Sequence, residues 1–466
     1  MTPLWTAAEI AAATGGTASG AFTATGVAFD SREVGSGDLF VALAGEHSDG
    51  HRHLTQAFVQ GAAGALVSQD CDGPHVRVAD TTVALDDLAR AARARTDATV
   101  IGVTGSVGKT SAKEALWAAL DRAHPGAVHR SVKSYNNHTG VPLSLARMPR
   151  ESRFAVLEMG MNHPGEIAAL TRLVRPHIAL VTAVASVHIE FFPHEEAIAD
   201  AKAEIFEGLE PGGTAVIPFD NAHRDRLAAA ARAHGARVVT FGDGDGDGDG
   251  ADVRATEVMR SAMGGSFVTV RLGAKADERE LSFTLAQPGA HHVSNALGVL
   301  ACVDAAGGDL GLAGLALAEF GGLPGRGARF TATVTGGTAL VLDESYNANP
   351  ASMRATLAVL AEEPGRHVAI LGQMGELGVD SAVYHLDLAG PITAAHVQAI
   401  LLVGEAMTPL AAALERKVNV VHVPDADAAA AVARLPGLIR AGDAVLVKGS
   451  NAVGLARVVA ALRGET

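Results

Sequence analysis

Cysteine is nearly absent: Cys71 and Cys302 are the only two in 466 residues, too few for a disulfide framework or a thiolate metal cluster. Both read as small core residues, and their scarcity suits a reducing, cytoplasmic setting. Aromatic residues are also few, at 4% of the chain, while alanine and glycine abound, a bias of composition that says little about function. A cationic surplus is missing. With 37 Lys and Arg against 51 Asp and Glu, the net charge is -14, so no basic field draws in nucleic acid and any phosphate binding must be local. Long apolar runs are lacking too, because Ala296 to Leu323 is interrupted by Asp304, Asp309 and Glu319, which argues against a membrane span. The opening MTPLWTAAEIAAATGG has neither a basic start nor a long apolar core and is no signal peptide. It reads as a short helix, with Thr6 and Glu9 as a capping box and Gly15-Gly16 as its stop.

What the chain does have is a phosphate cradle. An apolar strand, Val100 to Val103, runs into Thr104-Gly105-Ser106-Val107-Gly108-Lys109-Thr110-Ser111, and an alanine-rich helix follows directly. Such a loop offers consecutive backbone N–H groups and a helix N-terminus to phosphate oxygens. Lys109 reaches the β and γ phosphates and the Thr110 hydroxyl holds Mg²⁺ in that arrangement. Val103 stands where the longer P-loop pattern has glycine, so the motif is the shorter TGxxGKT form and leaves the kind of enzyme open.

The length predicts three domains. Residues 1–96 suffice for a small N-terminal α/β domain; 97–322 alternate strand and helix patterns, predicting a central, mainly parallel sheet; 323–466 repeat strand-then-helix units, predicting a C-terminal Rossmann-like domain. The glycine-rich Gly321 to Gly327 is the best linker, and the Gly-Asp alternation from Gly242 to Gly250 reads as an acidic, disordered loop. Ligands of parallel sheets gather at the carboxyl ends of strands, which places Glu158, ending the strand from Phe154, and His188, following the strand Ile178 to Val184, beside the P-loop. An acid at a strand end is the usual second anchor for a nucleotide's metal. Lys202 falls on the apolar face defined by Ile198, Ile205 and Phe206, either as a snorkelling stem or as a lysine of the nucleotide cleft, bound to phosphate or chemically altered. Asn295, placed in the first turn of a long helix, either faces a base edge or joins a cap network. Arg32, in the turn Asp30-Ser31-Arg32, is either a fork for phosphate or carboxylate or a solvated turn residue. His47, His51 and His53 have no closing acid or cysteine at ligand spacing, which argues against a metal there.

Together, TGSVGKT, SYNNHTGVP (134–142), LEMGMNHPGEI (157–167), AKAEIF (201–206), HHVSNALGVLA (291–301), LPGRGAR (323–329) and ESYNANPASM (344–353) resemble, block by block and in order, the Mur ligase family of ATP-dependent amide-forming enzymes. The YNANP block and DSREVGSGDLFVALAGEHSDGH resemble the branch that joins D-alanyl-D-alanine to a UDP-N-acetylmuramoyl-tripeptide. No DNPR motif, typical of the branch adding the third residue, is present. The resemblance implies ATP and Mg²⁺, an acyl phosphate on the tripeptide carboxylate, and attack by the dipeptide amine. It implies phosphate and metal roles for the P-loop residues Gly105 to Ser111, metal roles for Thr110, Glu158, His188 and Lys202, the last as a CO₂-derived carbamate, and nucleotide contacts from Asn295, Arg326, Glu344, Tyr346, Asn347 and Asn349. Many relatives have aspartate at Glu344, so Asp343 is a second candidate for the ribose contact. Ser31, Arg32, Asn136, Asn137 and His138 are the implied contacts to the UDP-linked substrate. No nucleic acid or membrane partner follows, and a monomer suffices. Other ligases of the family, folylpolyglutamate synthases among them, and a P-loop regulatory switch remain as alternatives.

Overall fold

The computed structural model describes residues 3–45, 48–187, 189–243, 250–261, 264–273, 278–435 and 437–465. His47, His188 and residues 244–249 of the Gly-Asp run lie outside them. Among the described residues the chain forms three α/β units, each built on its own principal sheet.

The first sheet has five strands, in the order Thr17–Ala18, His75–Arg77, Gly64–Val67, Asp38–Val41 and Gly26–Ala28. Its opening helix, Ala7–Thr14, carries the Thr6–Glu9 capping box and ends on Gly15 in the left-handed region. Trp5, Ile10, Leu39, Leu66, Leu85 and Leu88 form its core, joined by Leu143 and Ala146 from the next unit. The Trp5 indole Nε1 donates to the Ala146 carbonyl at 2.8 Å, so the first two units share apolar surface and a buried hydrogen bond.

The nine-stranded middle sheet runs, edge to edge, Arg279–Leu285, Ser266–Leu272, Val253–Arg260, Arg237–Asp243, Thr214–Pro218, Ile178–Val181, Thr99–Thr104, Phe154–Glu158 and Val128–Arg130. Its first two pairings are antiparallel and the rest parallel. Parallel strands buried on both faces need apolar side chains throughout and helices on either side. Leu116, Leu120, Leu297 and Leu300 fill one face, and Leu170, Ile198, Ile205 and Phe206 the other. The strand expected over Ile178 to Val184 stops at Val181, and just beyond it the Thr182 hydroxyl donates to the carbonyls of Thr104 and Val107, at 3.2 and 2.5 Å.

The third sheet has six strands, Ala328–Val334, Gly337–Glu344, Ala444–Lys448, His367–Gly372, Val397–Val403 and Asn419–Val423, parallel except for the first pairing. Before it, Leu323 and Arg326 exchange backbone hydrogen bonds of 3.2 and 2.8 Å in a tight turn. The segment read as a flexible linker is therefore folded and packed: a Cβ on Gly327 would lie 2.2 Å from Gln287 Nε2. No helix among the described residues is long and apolar enough to cross a membrane.

Candidate nucleotide and substrate cleft

The carboxyl ends of the middle and third sheets face each other across a cavity of about 530 Å³, the position at which open α/β sheets bind ligands. One wall is the loop Ser106 to Ser111 at the start of the helix Lys109–Ala123. Gly108 there has φ 84°, and a Cβ on it would lie 2.6 Å from Asn295 Oδ1, so only glycine lets the loop close against that side chain. Ser106 fixes the loop further, with its N–H on the Ala183 carbonyl at 2.8 Å and its hydroxyl on that of Ala185 at 2.9 Å.

Thr110 and Glu158 meet on the cleft floor. Both are buried, and the Thr110 hydroxyl donates to Glu158 Oε2 at 2.9 Å while Asn136 Nδ2 donates to Oε1 at 2.8 Å. A hydroxyl and a carboxylate so placed are hard oxygen donors, the set that fits Mg²⁺. Lys109 Nζ rests on the Gly105 carbonyl at 2.7 Å; burial lowers its pKa, the Glu158 carboxylate opposes that and Arg326 adds to it. Lys113, one turn on, is fully buried and reaches Glu114 at 3.0 Å, Glu158 at 3.9 Å and the carbonyls of Ser131 and Lys133. It ties the P-loop helix to the segment that carries Asn136.

Lys202 lies in the helix Glu195–Ala203, 2% exposed, and does not line the cavity wall. It is no snorkelling stem. Burial, and then the nearby Lys109 charge, push its pKa well below the ordinary lysine value.

The opposite wall comes from the third sheet. The Arg326 guanidinium stacks on the Tyr346 ring at 4.0 Å and donates to Ser134 Oγ at 3.4 Å. Glu344 ends its strand facing the cavity, with Lys448 Nζ 3.8 Å away. Burial raises the Glu344 pKa and lowers that of Lys448, and each charge opposes the shift of the other. Lys448 also donates to the Asn347 carbonyl at 2.9 Å. His291 and His292 complete the wall; burial lowers the first to about 4 and the second well below the ordinary histidine value.

Residues 103–303 match the Mur ligase middle domain, 328–451 the Mur ligase glutamate ligase domain, and 23–97 the Mur ligase family catalytic domain. A UDP-N-acetylmuramoyl-tripeptide--D-alanyl-D-alanine ligase of Escherichia coli strain K12 is 36% identical over 95% of this chain and 94% of its own. The protein of the same name from Synechocystis is 34% identical over 94% and 91%. The chain belongs to the Mur ligase family. Within it, this Mur ligase is of the MurF type. The crystal structure of MurF from Acinetobacter baumannii superposes with a TM-score of 0.82 at 29% identity, covering 99% of both chains. MurF from Thermotoga maritima in complex with ADP gives 0.75 at 25%, covering 94% of this chain and 97% of that one.

Several expectations for this Mur ligase need adjustment. The helix bearing Asn295 starts at Ala290, so Asn295 sits in its second turn and is not a cap; its side chain packs on Gly108. Asn349 lines the cavity, yet its Oδ1 accepts from Ser352 N–H at 2.8 Å as the cap of the next helix, which is a structural duty. Of the adjacent acids, Glu344 lines the cavity and Asp343 does not. Asp343 is 2% exposed and spends its carboxylate on the N–H groups of Gly325 and Ser345 and on the Ser345 hydroxyl, at 2.8, 3.2 and 2.6 Å. Asp343→Ala is therefore expected to cost about 2–3 kcal/mol of stability, read by urea unfolding, because it strips a buried turn of a charged acceptor.

Ser31 is buried with its hydroxyl on Gln56, while Arg32 is exposed and paired with Asp30 at 2.6 Å. Asn137 and His138 are exposed and lie outside the cavity lining; Asn137 Oδ1 accepts from Gly140 N–H at 2.9 Å. The two loops are neighbours: Phe29 and Tyr135 rings lie 5.4 Å apart, and Glu33 pairs with Lys133. Sequence reasoning missed Lys113, His291 and His292. Lys113 carried a readable sign, a lysine one helical turn beyond Lys109 in an alanine-rich helix.

Proposed function

We propose that this Mur ligase uses ATP to join D-alanyl-D-alanine to a UDP-N-acetylmuramoyl-tripeptide, giving the UDP-linked pentapeptide used in peptidoglycan synthesis. The observation that carries the reading is the apposition, in one cleft, of the P-loop with its Thr110–Glu158 pair and the Arg326, Tyr346 and Glu344 wall of the third sheet. The names of its full-length relatives agree with it.

A peptide carboxylate is a poor electrophile. In the proposed reaction its oxygen attacks the γ-phosphorus and ADP leaves; the dipeptide amine then attacks the acyl carbon, and collapse of the tetrahedral intermediate expels phosphate as the amine loses its proton. The protein's part is alignment and charge neutralisation. The Gly105 to Ser111 loop and Lys109 take the phosphates. Thr110 and Glu158, with His188, hold Mg²⁺, which when bound offsets phosphate charge. Lys202 adds CO₂, forming an N–C bond and losing a proton, and its carbamate oxygens supply a further metal donor. Asn295, Arg326, Glu344, Tyr346 and Asn347 hold the nucleotide, with Asn349 shaping the loop. Ser31, Arg32 and the segment Asn136-Asn137-His138, on neighbouring loops, serve the UDP-linked substrate. Residues 1–96, 97–322 and 323–466 act as the UDP-substrate-binding, ATP-binding and ligase domains of a cytoplasmic monomer.

An amine-acceptor screen scored by phosphate release tests the assignment. With ATP, magnesium and UDP-N-acetylmuramoyl-tripeptide, D-alanyl-D-alanine should support turnover, whereas diaminopimelate, lysine and glutamate should not. Turnover with glutamate instead, or phosphate release without any acceptor, overturns it.

A further inference from the structure

We propose that His291, His292 and Glu344 form a site for a borderline-soft divalent cation of the Zn²⁺ class, distinct from the magnesium donors, and that its occupation clasps the middle and third units and weakens nucleotide binding in the cleft. The ion-binding half rests on geometry alone; the second half rests on the cleft being the ATP site.

The two histidines open the helix Ala290–Ala305, and Glu344 ends the strand Gly337–Glu344 of the other unit. One ligand atom from each lies within 4.8 Å of the other two, and the imidazole centroids are 4.0 Å apart. Three donors converging from two units suit a single ion with an open fourth position. The donor chemistry selects the ion. Two imidazoles and one carboxylate favour zinc or copper over magnesium, which seeks an octahedral oxygen shell.

A second observation points to the same place. Gln287 is 3% exposed, and its buried Nε2 has no hydrogen-bond partner. It lines a small cavity, about 20 Å³, together with His291, His292 and Glu344. That space holds about one water-sized ligand. A water or hydroxide on the ion would give the orphaned Gln287 amide its acceptor, as outer partners commonly do around metal ligands. Opposing this, the Lys448 ammonium stands 3.8 Å from Glu344, and Arg326 faces the same carboxylate. A cation must compete with both, which sets the affinity well below that of a structural zinc site. Glu344 also lines the larger cavity, so an ion that draws it toward the histidines removes it from the nucleotide wall.

Cobalt(II), a coloured stand-in for zinc, tests the site on the full-length chain without nucleotide. One equivalent should bind with a visible d–d band and be displaced by Zn²⁺. His291→Ala and His292→Ala should each weaken binding by about a hundredfold, and Glu344→Gln serves if either fails a thermal-unfolding check. Absence of the band, or binding that survives all of these changes, overturns the site. Next, Zn²⁺ should raise the apparent Kd of a fluorescent ATP analogue about tenfold in the parent chain, a linkage of about 1.4 kcal/mol. If cobalt binds as described but that Kd does not move, the second half is wrong. Neither result bears on the ligase assignment, which stands or falls with the acceptor screen.

Discussion

Lys109→Met is expected to lower kcat about a thousandfold while the affinity for ATP falls far less. The methionine keeps the length of the stem and deletes the charge. Lys109 Nζ rests on its own loop at the Gly105 carbonyl, 2.7 Å away, with its charge already destabilised by burial. Transfer of a phosphoryl group spreads negative charge over the oxygens this ammonium faces, so its worth is greatest at the transition state rather than in the bound complex. Steady-state ADP release and titration with a fluorescent ATP analogue separate the two quantities. Activity within tenfold of the parent enzyme would remove Lys109 from the phosphate path.

Lys202→Ala should reduce turnover by about two to three orders of magnitude, the several kcal/mol that a metal-borne charge contributes. A lysine with no counter-charge in a dry site would be destabilising as an ammonium. Here burial and then the nearby Lys109 charge push its pKa well below the ordinary lysine value, a shift toward the uncharged amine. A neutral amine is the form that adds CO₂. Incubation of the parent protein with ¹³C-labelled bicarbonate should give one carbamate carbon resonance that vanishes in Lys202→Ala. Lys202→Arg, which keeps the charge and cannot form the carbamate, should be as inactive as the alanine variant. Full activity in the arginine variant would show that Lys202 works as a cation or as mere packing.

The phosphate cradle was legible because its physics is local: strand, glycines, lysine, hydroxyl and helix follow each other within a dozen residues. Glu158 was legible for nearly the same reason, as an acid closing a buried strand. The alternation of strands and helices likewise disclosed two sheets with helical faces. What could not be read was the division of labour between neighbours brought together from far along the chain. Asp343 and Glu344 are equivalent on paper, yet strand pairing turns one toward the Gly325 turn and the other into the cavity. Asn349 lines the cavity and at the same time caps a helix, a second duty that the sequence did not separate from the first. The glycines before the third sheet read as a supple tether, but they pack closely against Gln287 and Tyr346. His291 and His292 gain meaning only beside Glu344, half a hundred residues later and on another sheet.

The hydrogen bond between Thr110 and Glu158, 2.9 Å long, has a kinetic corollary. A bare magnesium ion entering the cleft would have to break that contact and shed tightly held water, and the few donors proposed for it replace only part of its shell. An ion already chelated by triphosphate brings most of its coordination with it. If magnesium binds there as proposed, the latch would favour the ion and the nucleotide arriving as a single chelate, with one threonine side chain setting the order.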